Sequence, residues 1–118
     1  MVSHLVLFRL RPDLTAADRE ALLRALERAL RDIPSVRAFR IGRRVTFGAG
    51  YEQAPPDLRF SMIIDFDDLS GLEAYLDHPA HEDLGTRFYA SIAEGLVYDY
   101  ELVGLEEAKS LLTDKRSS

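Results

Sequence analysis

The sequence contains no cysteine and only three histidines among its 118 residues. Without cysteine, disulfides, thiolate nucleophiles and cysteine-bound zinc or iron–sulfur centres are all excluded. No apolar run approaches the roughly 20 residues that a membrane-spanning helix needs, and the first residues lack the basic and apolar regions of a secretory signal. We therefore expect a soluble, unexported protein of the cytoplasm with no membrane partner.

Basic residues are also in the minority, since 15 lysines and arginines face 20 aspartates and glutamates, for a net charge of −5. This balance argues against a nucleic-acid partner, because phosphate binding normally requires a net basic face. One local cluster consists of Arg37, Arg40, Arg43 and Arg44. Alternation divides these side chains between the two faces of a strand, so we interpret the cluster as a solvated edge strand blunted by charge.

The length and the 47% hydrophobic content suit one domain with one core. We predict a domain over residues 2–103 and a C-terminal tail over 104–118. The tail holds one short amphipathic segment, 105–112, and a polar end, 113–118, that we expect to fray.

Hydrophobic periodicity predicts an alternation of strands and helices. Strands are expected over 2–10, 36–45, 58–66 and 96–103. Helices are expected from the Thr15 cap to Pro34, after Asp67 or Asp68, and over 80–93. This order is the split β-α-β arrangement of an α+β, ferredoxin-like fold, a four-stranded antiparallel sheet with helices on one face. Between the second and third strands, glycines and prolines predict a loop over 46–57 that either covers a cavity or is mobile.

Alternation also assigns residues to the two sheet faces. We expect the helices to cover Val6, Phe8, Met62, Ile64, Tyr98 and Tyr100. The open face would then carry Leu5, Leu7, Phe39, Ile41, Ile63, Val97 and Val103. Such an apolar surface favours a homodimer with two sheets packed face to face, the alternative being a monomer whose tail covers the sheet. Cross-subunit ion pairs are expected among Arg9, Arg59, Asp65, Asp99 and Glu101.

The chemistry is concentrated in residues 75–81, where Tyr75, His78 and His81 surround a helix break at Pro79. An imidazole that titrates near neutral pH beside a phenol that donates a hydrogen bond suits proton transfer. His78 is assigned to the turn as a cap or surface residue. A metal site at His78 and His81 is disfavoured because the proline breaks the regular helix that would align them, so neither a metal nor a cofactor is expected.

Four motifs together resemble the stress-responsive dimeric α/β barrel (Dabb) family. They are His4-Leu5-Val6-Leu7-Phe8, Asp65-Phe66-Asp67, Tyr75 with His78-Pro79-Ala80-His81, and Tyr98-Asp99-Tyr100. The resemblance implies a ferredoxin-like subunit that forms a dimeric barrel. In one plant branch, a polyketide cyclase that works by aldol condensation without a cofactor, the histidine matching His81 is the base. There, the tyrosine matching Tyr75 orients the substrate carbonyl, and the histidine matching His4 lies in the same cavity.

Two departures separate this chain from that branch. Phe60 stands where the cyclase has a histidine on the third strand. The first helix has Leu22, Leu23 and Leu26 in place of the large aromatics that surround the alkyl tail there. The same substrate is therefore not expected.

We predict catalytic roles for His81, Tyr75 and His4, in cyclase, aldol or isomerase chemistry on a small apolar carbonyl compound. The predicted pocket lining is Val6, Phe8, Leu26, Phe60, Met62, Leu84, Phe88 and Ile92. The alternative is a non-catalytic stress-response or ligand-binding dimer in which the histidines are structural. A cavity of a few hundred cubic ångströms beside His81 would favour the first hypothesis, and a filled core the second.

Overall fold

The structure is a computed structural model that describes residues 1–114 and Arg116. Its strands are β1 (Val2–Leu10), β2 (Ala38–Arg43), β3 (Phe60–Phe66) and β4 (Ile92–Glu101). Its helices are α1 (Ala16–Asp32), α2 (Leu69–Asp77), α3 (Pro79–Ser91) and α4 (Leu105–Thr113), with a 3₁₀ turn at Gly50–Gln53. The strands form one antiparallel sheet in the order β2-β3-β1-β4. The predicted ferredoxin-like α+β fold is confirmed, with β1 inside the sheet and β2 at an edge.

Capping groups fix where the helices begin. The Thr15 side chain accepts a hydrogen bond from the Asp18 backbone N–H, and the Asp18 carboxylate accepts one from the Thr15 N–H. This capping box satisfies two amide donors that the helix itself leaves unpaired, as predicted. Asp68 caps α2 in a similar way through the Gly71 N–H.

The core lies between one face of the sheet and the helices α1, α2 and α3. Its buried apolar side chains are Val2, Val6, Phe8, Ala25, Leu26, Ala29, Ile33, Met62, Ile64, Phe66, Leu72, Tyr75, Ala80, Leu84 and Phe88. Helical spacing in α1 and alternation in β1 and β3 each direct one apolar face into this layer. The layer therefore contains the predicted site residue Tyr75 as well as ordinary packing residues.

The predicted faces of β2 and β4 were wrong. His4 on β1 pairs with Asp99 and Leu5 pairs with Tyr98, so Asp99 shares the helix-covered face while Tyr98 lies on the open face. The same register places Val97 and Glu101 on the helix side and Tyr100 on the open side. Phe39 and Ile41 pair with Ile64 and Met62, which puts them on the helix side too. In β4 each face mixes apolar and polar groups, and in β2 the apolar residues share one face without showing which side the helices cover. Counting apolar residues therefore does not fix the phase.

The predicted ion pairs follow the corrected faces. Asp99 and Glu101 leave the open face, and Asp99 bonds to His4 within the chain. On the open face Asp65 accepts hydrogen bonds from Ser3 and from Arg40. Arg9 pairs with Glu94 on the same face, and Arg59, just before β3, pairs with Asp57.

The segment between β2 and β3 is built around one carboxylate. Glu52 accepts hydrogen bonds from the backbone N–H groups of Phe47, Gly48 and Ala49, which lower the pKa of its carboxyl. Gly48 has a φ of 90°, a conformation that glycine adopts without steric cost. The 3₁₀ turn that contains Glu52 was not predicted.

The tail forms α4, close to the predicted amphipathic segment, and leaves Leu105 and Leu112 largely exposed. The fraying expected for residues 113–118 falls partly on Lys115, Ser117 and Ser118, which lie outside the described residues. Within the described part of the chain, no helix combines the length and apolar character needed to cross a membrane.

Candidate functional site

The structure brings His4, Tyr75 and His81 together from three different elements. The Tyr75 ring, 1% exposed, lies 4.7 Å from the His81 ring and 5.8 Å from the His4 ring, measured between centroids. Phe66 packs against another side of the tyrosine, with a centroid distance of 5.3 Å. Tyr75 is thus a shared neighbour of both imidazoles, and packing holds its ring in place.

His4 is held by a carboxylate. Its Nδ1 lies 2.5 Å from an Asp99 oxygen, and the strand register places these two residues directly opposite each other. An ionised carboxylate only accepts hydrogen bonds, so Nδ1 carries the hydrogen and Nε2 is left for a ligand. A histidine with one nitrogen fixed in this way has a defined tautomer and ring orientation, as in catalytic histidine–carboxylate pairs.

Asp99 was missed as a site residue because it was assigned to the open face. The sequence did contain a signal for the pairing. Asp99 lies between Tyr98 and Tyr100 on the last strand, and the first strand contains His4 among apolar residues. A buried imidazole needs a partner for its N–H. That requirement favours the β4 phase that brings Asp99, and not Tyr98, beside His4.

The helix break at Pro79 positions His81 and separates it from His78. His78 ends α2 and caps α3, with its Nδ1 accepting a hydrogen bond from the Ala80 N–H at 3.0 Å. Pro79 takes the first helical position, where its missing amide proton has no structural cost. The predicted turn role of His78 is confirmed, and His81 follows in the first turn of α3, facing Tyr75.

Burial shifts the pKa values of Tyr75 and His81. Desolvation raises the pKa of Tyr75 to about 12, so its hydroxyl stays protonated and able to donate. Desolvation also lowers the pKa of His81, and the positive charge of a protonated His4 acts in the same direction. The Leu76 backbone carbonyl acts against these effects. In its neutral form the His81 imidazole has one nitrogen with a free lone pair.

A cavity of about 130 Å³ lies beside these side chains. His4, Tyr75 and His81 line it together with Val6, Met62, Ile64, Leu76, Leu84, Gly85, Phe88, Tyr89 and Val97. Leu76 and Tyr89 are exposed, so the cavity opens to solvent between α2 and α3. It is smaller than the few hundred cubic ångströms expected of a ligand site.

A second cavity of about 250 Å³ adjoins the first, and the two share Met62, Leu84 and Phe88. Of the predicted lining residues, Val6 contacts only the smaller cavity, whereas Phe8, Leu26 and Phe60 contact only the larger one. Ile92 lines neither and packs against the core. Phe60 stacks on Phe8 with ring centroids 5.5 Å apart. At the position where the cyclase branch has a polar histidine, this chain therefore has an apolar ring packed against the first strand.

Metal ligands do not converge in the described part of the chain. No group of three histidine, aspartate or glutamate side chains there could hold an ion. His78, the second histidine of the motif, uses its Nδ1 as a helix cap.

Comparison with protein families gives one match that spans most of the chain. The family described as "Stress responsive A/B Barrel Domain", Dabb, matches residues 2–102. No curated protein gives a significant match to this sequence.

Solved structures share the fold at low identity. The Arabidopsis thaliana protein At3g17210 is 23% identical with a TM-score of 0.74, covering 89% of this chain and 98% of its own. A dimeric ferredoxin-like protein of unknown function from Thermobifida fusca is 25% identical with a TM-score of 0.66, covering 86% and 90%. Hydroxynitrile lyase from Passiflora edulis is 14% identical with a TM-score of 0.73, covering 86% and 93%.

Proposed function

The chain belongs to the stress responsive A/B barrel domain (Dabb) family, and we propose that it is a homodimeric enzyme that catalyses cofactor-free proton transfer. The proposed substrate is a small apolar carbonyl compound bound in the cavity beside His81. The observation that carries this proposal is the juxtaposition of a neutral imidazole, a phenol that stays protonated and a carboxylate-held second imidazole at one cavity.

Each residue has a distinct role in this mechanism. The free nitrogen of His81 removes a proton from the carbon next to the carbonyl, a task that requires a neutral imidazole. The Tyr75 hydroxyl donates to the carbonyl oxygen, where negative charge develops as the proton leaves. His4, oriented by Asp99, presents Nε2 as a second group able to bind the carbonyl compound or return a proton.

The enolate formed in this way supports several outcomes. Reprotonation on the same carbon gives exchange, reprotonation elsewhere gives isomerisation, and attack on a second carbonyl of the same molecule gives an aldol cyclisation. All three begin with the same proton abstraction. The fold itself accommodates catalysis, since hydroxynitrile lyase from Passiflora edulis shares it.

The common first step gives a direct test of the proposal. In D₂O, the wild-type protein should exchange the α-hydrogens of small apolar ketones and β-diketones for deuterium faster than buffer does, as followed by ¹H NMR. Exchange no faster than with heat-denatured protein across the panel would contradict enzymatic proton transfer. Saturable binding of the same compounds without exchange would instead support the non-catalytic binding module.

The homodimer is the second part of the proposal. The open sheet face contains the Ser3, Asp65 and Arg40 network, Ser61 and the Arg9–Glu94 ion pair, and its centre is largely apolar. Its apolar members are Leu5, Leu7, Ile63, Leu96, Tyr98 and Tyr100. A contiguous apolar face of this kind is typical of a two-fold interface. The Thermobifida fusca protein of the same fold is described as dimeric, which supports this assignment.

Ile63→Arg should convert the dimer to a monomer, because a charged guanidinium would replace an apolar side chain at the centre of the interface and would be costly to bury there. Native mass spectrometry and sedimentation at micromolar concentration measure the change. Ile41→Arg is the matched control, since Ile41 lies on the helix side and is 56% exposed. A wild-type monomer, or a dimer that survives Ile63→Arg but not Ile41→Arg, would contradict this interface.

A further inference from the structure

The larger cavity has an apolar lining with one exception. Among the described residues, Arg19 is the one charged side chain on a wall otherwise formed by aliphatic and aromatic residues. Leu23 and Ile41, both about half exposed, lie on the same wall and mark where the cavity meets solvent. The Arg19 guanidinium therefore lies at the opening of an apolar cavity, an arrangement that suits a ligand with an apolar chain and an anionic group.

The fold offers Arg19 no partner of its own. Its neighbour Asp18 is engaged in the capping box with Thr15, and Glu20 pairs with Arg24. Within residues 1–114, Arg19 forms no ion pair. A cation near the positive N-terminal end of a helix is also unfavourable. Arg19 is exposed to solvent at this end of the cavity, so an anionic group of a ligand could reach it.

The two cavities lie side by side, and together they would accommodate an elongated ligand. Met62, Leu84 and Phe88 contact both, so a chain that extends from Tyr75 to Arg19 has to displace these three buried side chains. Methionine has three rotatable bonds and an unbranched thioether, and it yields more readily than a branched residue. Met62, Leu84 and Phe88 are thus the residues that the two cavities have in common.

We propose that the substrate is an unbranched aliphatic chain with a carbonyl group near one end and a carboxylate at the other. The carbonyl lies at Tyr75 and His81, the methylene groups fill the larger cavity, and the carboxylate pairs with Arg19. A planar guanidinium forms two parallel hydrogen bonds with a carboxylate. This assignment rests on the proposed function for the identity of the carbonyl end.

Titration calorimetry with two chains of equal length tests the proposal. One is an oxodecanoic acid whose ketone adjoins the terminal methyl group, and the other is the corresponding methyl ketone without the carboxylate. Arg19→Gln should weaken binding of the keto acid about two- to fivefold, the upper part of the range for an exposed ion pair, and leave the ketone unchanged. Arg24→Gln removes the same charge from the same helix and should affect neither.

A second variant tests the location of the chain. Leu22→Trp narrows the larger cavity from α1 and should weaken binding of both compounds. Equal loss of keto acid affinity in Arg19→Gln and Arg24→Gln would show a general charge effect and overturn the Arg19 contact. Unchanged affinity of both compounds in Leu22→Trp would overturn the chain's location.

Deuterium exchange separates this inference from the proposed function. Exchange of the bound keto acid that depends on His81 but is indifferent to Arg19 would refute the inference and leave the function intact. Binding that depends on Arg19 with no exchange would do the reverse.

Discussion

His81→Ala should reduce α-hydrogen exchange by about 10²- to 10⁴-fold, the usual contribution of a positioned general base. The expectation follows from the environment of the ring, which is partly buried against Tyr75 and has a lowered pKa. His78 provides a matched control three residues away. His78→Asn keeps a side-chain acceptor for the Ala80 N–H and should retain both exchange and stability, whereas His78→Ala should lose about 1 kcal/mol of stability with its cap.

The pH dependence gives a second readout of the same residue. Above the unfolded-state pKa of 6.5, His81 is neutral in both states. Below it, the unfolded chain takes up a proton that the folded protein resists, so stability is lost as the pH falls. Urea unfolding between about pH 7 and pH 5 should show a steeper loss for the wild type than for His81→Ala. In a plot of exchange rate against pH, the fall in rate on the acid side (the acid limb) should likewise have its midpoint below pH 6.5.

Equal exchange in His81→Ala and wild type would exclude His81 as the base and transfer that role to His4. The His4 ring is the other imidazole of the cavity, and Asp99 holds its Nδ1. His4→Ala would then carry the loss. The pH profile of the exchange rate distinguishes a His81 base from a His4 base. If His81 is the base, the fall in rate at low pH should be absent from His81→Ala.

The sequence was sufficient to predict the fold and the convergence of three site residues, for physical reasons visible in β1 and α3. Val2, His4, Val6 and Phe8 alternate on one face of β1, so the helices that bury Val6 and Phe8 also bury His4. Proline at the first position of α3 fixed the break and hence the separate roles of His78 and His81.

The fourth strand was placed with the wrong phase because both of its faces are only partly polar. Tyr98 and Tyr100 seemed the better core residues, yet they line the open face, where we propose that a second subunit covers them. In a sheet covered on both sides, hydrophobic alternation loses its power to assign faces. The partner of His4 was lost with that phase, because Asp99 is recognisable only through pairing with a residue 95 positions away.

The cavities were beyond what periodicity can show. Cavity volume depends on how side chains of α1 meet those of β3 and α3, and a difference of one methylene changes it. The presence of Leu22, Leu23 and Leu26 where the cyclase branch has large aromatics predicted a differently lined pocket. It did not predict the cavity of about 250 Å³ beside Met62.

Tyr75→Phe should reduce exchange by about 10²- to 10³-fold while leaving the fold intact, because it removes only the hydroxyl that donates to the developing oxyanion. Phe66, His4 and His81 would still pack around the remaining ring, so the unfolding free energy should change little. Since burial raises the pKa of Tyr75 to about 12, the phenol does not ionise in the working range. The acid limb that belongs to His81 should therefore stay in place in the variant.

Tyr89→Phe is the matched control for the loss of a phenol at this cavity. Tyr89 lines the same space, but it is 68% exposed at the mouth, where water competes for any hydrogen bond it makes. Exchange should be nearly unchanged in this variant. Equal rates in Tyr75→Phe and wild type would show that the carbonyl oxygen binds elsewhere, with His4 Nε2 as the remaining donor when the ring is protonated. Reduced exchange with an acid limb shifted upward would mean that the hydroxyl acts by tuning His81 and that it does not contact the substrate.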